Sequence, residues 1–248
     1  KQYIPPTLLS ETYNQSHEPV VDQKEVVGHA VRACYMYSGM ADVAKETKDK
    51  PIEKACKHLW RNVTEKRMYV TGGIGPTHQN EGFTFDYDLP NETAYAETCA
   101  SIALAQWAHR MFHLDPDSKY INVLERAIYN GILSGVNLEG DKFFYSNRLS
   151  VLPDEIETNA HGHDIDRQPW FECACCPTNI VRFLPSIPGY IYSKSNKDVW
   201  IHLYIQSTVN LELNNSPIKL SQKTLQPWDG KCKISIKNVQ KKSFTLYL

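Results

Sequence analysis

Long apolar runs, an excess of charge of either sign and a regular cysteine framework are all missing from this chain. No apolar stretch among its 248 residues approaches the roughly eighteen that a membrane-spanning helix needs, and residues 1–10 lack the charged-then-apolar layout of a signal peptide. No membrane partner is therefore expected. Lys and Arg (27) balance Asp and Glu (28) to a net charge of -1, without the basic stripe that nucleic acid demands, so nucleic acid is not expected as a partner either. The seven cysteines are odd in number and follow neither a disulfide pattern nor the repeated C-x-x-C of a zinc ribbon. That usage suits a reducing compartment, read here as the cytoplasm, or ligation of a metal.

The apolar periodicity divides the chain in two. Residues 25–46 place Val26, Ala30, Ala33, Tyr37 and Met40 near three-to-four spacing, which predicts a helix. A second helix is expected over 51–66, with Pro51 suited to its first turn. Between residues 68 and 90, Gly72, Gly73, Gly75, Pro76, Gly82 and Pro90 exclude a long helix and predict a structured loop with room for a short hairpin. An alanine-rich helix should open at Asn91 or Glu92 and run to Phe112, and another should cover about 117–136. A strand at 142–146 and a polar loop at 153–169 follow, then a helix begun by Cys176 and Pro177 and broken near Pro185 and Pro188. Beyond Ser193, runs at 199–205, 208–213, 232–236 and 244–248 read as strands. The expected fold is thus mainly α followed by β, with a helical domain over 1–194 and the start of a β-sandwich over 195–248. The last run reaches Leu248 without a closing turn, so the chain is read as an excerpt of a longer protein.

Most of the chemistry-bearing residues cluster in a few short motifs. Glu97 and Cys99, together with the adjacent Cys175 and Cys176, offer three thiolates and a carboxylate, a donor set that suits one tetrahedral zinc ion. Neighbouring cysteines rarely pair with each other, because a vicinal disulfide is strained. Residues two apart on an α-helix point about 200° away from each other, so Glu97 and Cys99 can share an ion only where the backbone departs from a regular helix. Pro177 at a helix start would put Cys175 and Cys176 where the macrodipole favours anions, making one sulfur both ligand and nucleophile. Cys173 is a weaker candidate ligand, and Cys34, Cys56 and Cys232 read as packed core. Glu81, in the glycine-rich loop, is either a solvated carboxylate or the proton donor that a nucleophilic reaction on a sugar requires. His29 and Tyr145 either reach a central pocket or are satisfied core residues.

Gly28-His-Ala-Val-Arg, Tyr69-Val-Thr-Gly-Gly-Ile-Gly, Glu81, Tyr95-Ala-Glu-Thr-Cys-Ala, Phe144-Tyr-Ser-Asn and Cys173-Ala-Cys-Cys-Pro-Thr-Asn together resemble glycoside hydrolase family 127, the β-L-arabinofuranosidases. The resemblance covers about residues 25–205. It implies part of an (α/α)6 barrel followed by β-sandwich domains, and a retaining hydrolysis of β-L-arabinofuranosides. Matched residue by residue, it implies zinc on Glu97, Cys99, Cys175 and Cys176, with Cys175 as nucleophile and Glu81 as general acid/base. His29 and Tyr145 fall where that family contacts the sugar, and a small glycoside is the implied partner. Members of the family are much longer, so roughly the first half of the barrel is expected to lie outside this chain. Two other readings remain open from the residues alone. A closed set of four ligands also suits a purely structural zinc, and Trp107, Tyr145 and Trp170 also suit a sugar-binding module without catalysis.

Overall fold

A computed structural model of the chain describes residues 10–151, 165–238 and 243–248. Most of the loop expected at 153–169 lies outside the described residues. The chain divides into two compact units, Lys1–Phe183 and Leu184–Leu248. Among the described residues there are six α-helices and three small sheets.

The first unit is built on helices α1 (Ala30–Thr47), α2 (Lys50–Lys66), α3 (Thr98–Leu114), α4 (Ser118–Arg126) and α5 (Cys175–Phe183). The turn between α1 and α2 is tight because Lys48 takes a left-handed φ of 58° and Asp49 caps α2, accepting the Ile52 N–H at 2.9 Å. Small residues buried on α1 (Ala33, Ala41, Ala44) and on α3 (Ala100, Ala103, Ala108) let those two helices pack closely. Trp107 of α3, fully buried, anchors an aromatic column that meets Tyr37 of α1 at 4.9 Å and Trp60 of α2 at 5.0 Å, and Trp60 in turn meets Tyr120 of α4 at 5.0 Å. Each such ring pair contributes about 0.5–1.5 kcal/mol beyond its buried area, so this column ties four helices at one level.

Several boundaries differ from the sequence expectation. α1 starts at Ala30, later than residue 25, because Gly28 sits at φ +71° and His29 is the extended cap residue. Gly28 and His29 instead form strand β1 (Gly28–His29), antiparallel to β2 (Gly82–Phe83), with Gly28 opposite Phe83 and His29 opposite Gly82. A side chain at either glycine is excluded: a Cβ on Gly28 would lie 2.2 Å from the Thr12 carbonyl oxygen, and one on Gly82 would lie 1.9 Å from that of Gly28. α3 starts at Thr98, not at Asn91 or Glu92, because Ala96 is left-handed (φ 39°) and Glu97 is drawn into a bridge with Ser146. The helix expected over 117–136 stops being α-helical at Arg126 and continues as a π-turn (Ala127–Ile132) and a 3-10 turn (Leu133–Gly135). Gly131 lies so close to Ser101 of α3 that a Cβ would meet its Oγ at 2.6 Å, a close approach that accompanies the widened turn. The run at 142–146 makes isolated bridges, with Phe143 opposite Val136 and Gln168.

The second unit carries α6 (Pro188–Ile191) and strands β3 (Tyr192–Lys194), β4 (Asp198–Ile201), β5 (Ser207–Leu213), β6 (Ser216–Leu225), β7 (Asp229–Asn238) and β8 (Thr245–Tyr247). One sheet runs β3-β4-β8, with β8 parallel to β4, and the other is the antiparallel meander β5-β6-β7. Val199, Leu213, Ile218 and Leu220 form its apolar centre, with Val209, Leu211, Phe244 and Leu246 packed against them.

Candidate active site and metal centre

The β1–β2 pairing has a direct chemical consequence. Glu81 precedes β2 at a left-handed φ of 48°, and its carbonyl accepts the Ala30 N–H, a first-turn donor of α1, at 3.0 Å. The Glu81 carboxylate is thereby set beside His29, whose Nε2 lies 3.2 Å from Oε2. Its other oxygen, Oε1, accepts the hydroxyl of Tyr95 at 2.8 Å. Both side chains of the His29–Glu81 pair are partly shielded, at 13% and 25% exposure.

The segment 95–98 is held in its irregular path by residues 144–147. The Thr98 N–H donates to the Tyr145 carbonyl at 2.9 Å, the Thr98 hydroxyl to that of Phe144 at 2.9 Å, and the Asn147 side-chain amide to the Ala96 carbonyl at 3.0 Å. Glu97 thus leaves the helix as its cap residue while Cys99 stays inside the first turn, which removes the 200° conflict between them. The same contacts bring in Tyr145, whose hydroxyl lies 2.9 Å from Cys175 Sγ and 3.8 Å from Cys173 Sγ. Cys175 and Cys176 open α5, with Pro177 in its first turn.

Glu97, Cys99, Cys175 and Cys176 converge so that one ligand atom from each lies within 4.8 Å of all the others. The two vicinal sulfurs are 3.7 Å apart, too far for a bond, and each lies 3.5 Å from Glu97 Oε1. A tetrahedron with metal–sulfur bonds of about 2.3 Å and metal–oxygen bonds of about 2.0–2.2 Å has edges of roughly 3.8 and 3.5 Å, so Glu97, Cys175 and Cys176 already have the spacing of three corners of a four-ligand site, with Cys99 within reach as the fourth. Glu97 is 2% exposed and its Oε2 is buried without a hydrogen-bond partner, a cost that a cation would relieve. The residues present therefore fit a metal ion. Cys173, exposed, stands outside the group. A second group, His29, Glu81 and Glu97, meets the same distance criterion and shares Glu97 with the first.

The electrostatics of the cluster concentrate its negative charge on one sulfur. Hydrogen bonds from the Cys176 and Cys99 thiols, then from Tyr145 and Glu97, pull Cys175 far below the usual thiol range against the opposing effect of burial. The other members move the opposite way. Burial, reinforced by the Cys175 charge, raises Glu97; burial raises Cys176; and the hydrogen bond to Cys175 raises Cys99. Burial and the surrounding carboxylates also keep the Tyr95 and Tyr145 phenols protonated. Cys175 is also the half-buried member of the four, whereas Glu97, Cys99 and Cys176 are buried.

Six of the seven residues read from the sequence as catalytic, sugar-contacting or metal-ligating fall in the two overlapping groups, and the seventh, Tyr145, touches Cys175 from beside them. Trp107 cannot stack on a sugar, because it is fully buried in the helical core. The sequence motifs by themselves assign Tyr95 no role. Its position two residues before Glu97 was the available signal, but only the fold of the glycine-rich loop reveals Glu81 as its target.

The sequence profile of the β-L-arabinofuranosidase GH127 catalytic domain matches residues 3–189. The chain belongs to glycoside hydrolase family 127. The profile of the family's middle domain matches residues 198–248. A non-reducing end β-L-arabinofuranosidase of Bifidobacterium longum subsp. longum is 42% identical over 222 residues, 88% of this chain and 33% of the relative. The crystal structure of a family 127 β-L-arabinofuranosidase from Geobacillus stearothermophilus T6 superposes with a TM-score of 0.92 at 46% identity, over 98% of this chain and 39% of that one. A further family 127 β-arabinofuranosidase structure gives a TM-score of 0.83 at 47% identity, over 91% of this chain and 34% of its own. The chain therefore spans about a third of the length of the relatives it matches. Among the described residues no helix is long and apolar enough to cross a membrane.

Proposed function

We propose that the full-length protein carrying this chain is a retaining glycoside hydrolase that releases L-arabinofuranose from β-L-arabinofuranosides, with Cys175 as nucleophile and Glu81 as general acid/base. The helices of the first unit would then be part of an (α/α)6 barrel and the strands of the second part of a β-sandwich. The observation that carries the proposal is the sharing of Glu97 by the thiol cluster and the His29–Glu81 pair, which sets the half-buried Cys175 sulfur and the Glu81 carboxyl group on either side of one buried carboxylate.

Glu97, Cys99, Cys175 and Cys176 would hold the ion, read as Zn²⁺ from the donor set. Bound there, zinc keeps its sulfur ligands deprotonated at neutral pH and fixes their position. The chain's own groups then divide the work. The Cys175 thiolate attacks the anomeric carbon from the face opposite the leaving oxygen; the carbon–oxygen bond breaks as Glu81 gives that oxygen its proton. A thioglycosyl enzyme and a free aglycone result. Glu81, now a carboxylate, takes a proton from water, whose oxygen attacks the same carbon and returns the electron pair to sulfur. Two inversions restore the original configuration. His29 and Tyr145 are assigned to contacts with the sugar, and the Tyr145 hydroxyl, 2.9 Å from Cys175 Sγ, also stabilises the sulfur anion.

Glu81→Gln in the full-length protein separates this reading from a structural metal site. Loss of arabinofuranosidase activity with unchanged metal content supports it, whereas wild-type turnover by Glu81→Gln refutes the acid/base assignment.

A further inference from the structure

A tyrosine with no assigned role touches the proposed acid/base. Tyr95 is 2% exposed, and its hydroxyl donates to Glu81 Oε1 at 2.8 Å while His29 Nε2 faces Oε2 at 3.2 Å. Its backbone ties the same two segments together. The Tyr95 N–H donates to the Pro76 carbonyl at 3.3 Å, the Ala96 N–H to that of Gly75 at 2.8 Å, and the Asn147 N–H to that of Tyr95 at 3.1 Å. The loop that carries Glu81 is thus strapped to the turn that delivers Glu97, and the ring of Tyr95 lies against that of Tyr145, with centroids 6.3 Å apart.

We propose that Tyr95 is the positioning residue for Glu81, fixing the plane of its carboxyl group through Oε1 so that Oε2 is the atom that exchanges the proton. The inference rests on the reading of Glu81 as acid/base. A phenol suits this role because its hydroxyl can donate to Oε1 in both protonation states through which Glu81 cycles, to a carboxylate oxygen when the group is ionised and to the carbonyl oxygen of the acid when the proton is on Oε2. A carboxyl free to rotate would sample poses in which neither oxygen reaches the leaving group, and misplacement of a catalytic group by even about 1 Å can cost on the order of a hundredfold in rate.

The test compares Tyr95→Phe and Glu81→Gln in the full-length, metal-loaded enzyme on two β-L-arabinofuranosides, one with methanol and one with an acidic nitrophenol as leaving group. Methanol needs a proton to depart and the nitrophenol does not. Tyr95→Phe is expected to lower kcat/KM on the methyl glycoside by about 10–100-fold, with the nitrophenyl glycoside within about threefold of wild type and metal content unchanged. Equal losses on both substrates, or none on either, overturn the inference provided that Glu81→Gln discriminates between them. If Glu81→Gln does not discriminate, the acid/base reading itself fails and the role of Tyr95 with it. Should Tyr95→Phe not fold, 3-fluorotyrosine at position 95 keeps the ring and hydroxyl but alters the donor strength. A shifted methyl-to-nitrophenyl ratio then supports the positioning role, and an unshifted ratio overturns it.

Discussion

Withdrawing the metal should destabilise the full-length enzyme, and substituting Glu97 should abolish that sensitivity. Glu97 is 2% exposed, its Oε2 has no hydrogen-bond partner, and burial together with the Cys175 charge holds its carboxyl well above the usual range. Without an ion, that oxygen costs about 1–3 kcal/mol in lost solvation. With an ion at a hundred times its dissociation constant, linkage adds about 2.7 kcal/mol to the folded state. The shift per kcal/mol shrinks with size, at about 2.1 cal/mol/K of unfolding entropy per residue, so for a protein about three times the length of this chain the midpoint should fall by roughly 2 °C when a chelator removes the ion. Glu97→Gln keeps the shape but removes the charge, so its midpoint should respond little to chelator. The gap between the two proteins should close on stripping. Wild type should be the more stable protein when loaded, and the two should have similar midpoints when both are stripped, because the raised Glu97 carboxyl is then protonated and, like the amide, neutral. Thermal unfolding by circular dichroism, with metal content measured on the same samples, gives all four midpoints. A wild-type protein that carries no metal as purified, or whose midpoint ignores chelator, refutes the reasoning.

Three further outcomes follow from other parts of the chain. Arg67 is 3% exposed and donates to the carbonyls of Val26 at 2.6 Å and Thr84 at 2.9 Å, so Arg67→Met should cost about 2–5 kcal/mol in denaturant unfolding by leaving those acceptors unpaired. Asp86 is held down at about 2, first by the Lys66 ammonium and then by Arg67, against an ordinary value of 3.8. Because its folded value is depressed, its contribution is complete above about pH 4 and is lost as pH falls toward about 2; Asp86→Asn should flatten that part of the stability–pH curve. Gly28→Ala should destabilise by more than about 3 kcal/mol, since a left-handed backbone at φ +71° combines with a contact of 2.2 Å to the Thr12 carbonyl, and arabinofuranosidase activity should fall with it as His29 moves away from Glu81.

The elements that could be read from sequence are those whose apolar residues alone determine them. The helices α1 and α2 and the strands β4, β5, β7 and β8 all correspond to expected runs. Boundaries slipped where a distant segment intervenes: nothing local to Ala96 announces its left-handed backbone, which depends on Gly75 and Asn147 for its hydrogen bonds. Strand β6 was not expected because its buried face is partly polar. Ser216, Gln222 and Thr224 share that face with Ile218 and Leu220, and Gln222 is satisfied by distant groups, its amide donating to the Tyr192 hydroxyl and the Leu203 carbonyl and its oxygen accepting the Cys232 thiol. The thiol–carboxylate set was legible because its donors are distinctive as residue types. Tyr95 was not, because a tyrosine in an apolar segment reads as core until the loop bearing Glu81 is folded against it.

The central claim is that Cys175 forms a bond to the anomeric carbon. Its most direct test is peptide mass spectrometry on the full-length enzyme, quenched in acid during steady-state turnover of an activated β-L-arabinofuranoside. The account predicts a single pentosyl adduct on the peptide carrying Cys175, absent from Cys175→Ser. A pentosyl ester on Glu81, or an unmodified enzyme whose sugar product has inverted configuration, contradicts it.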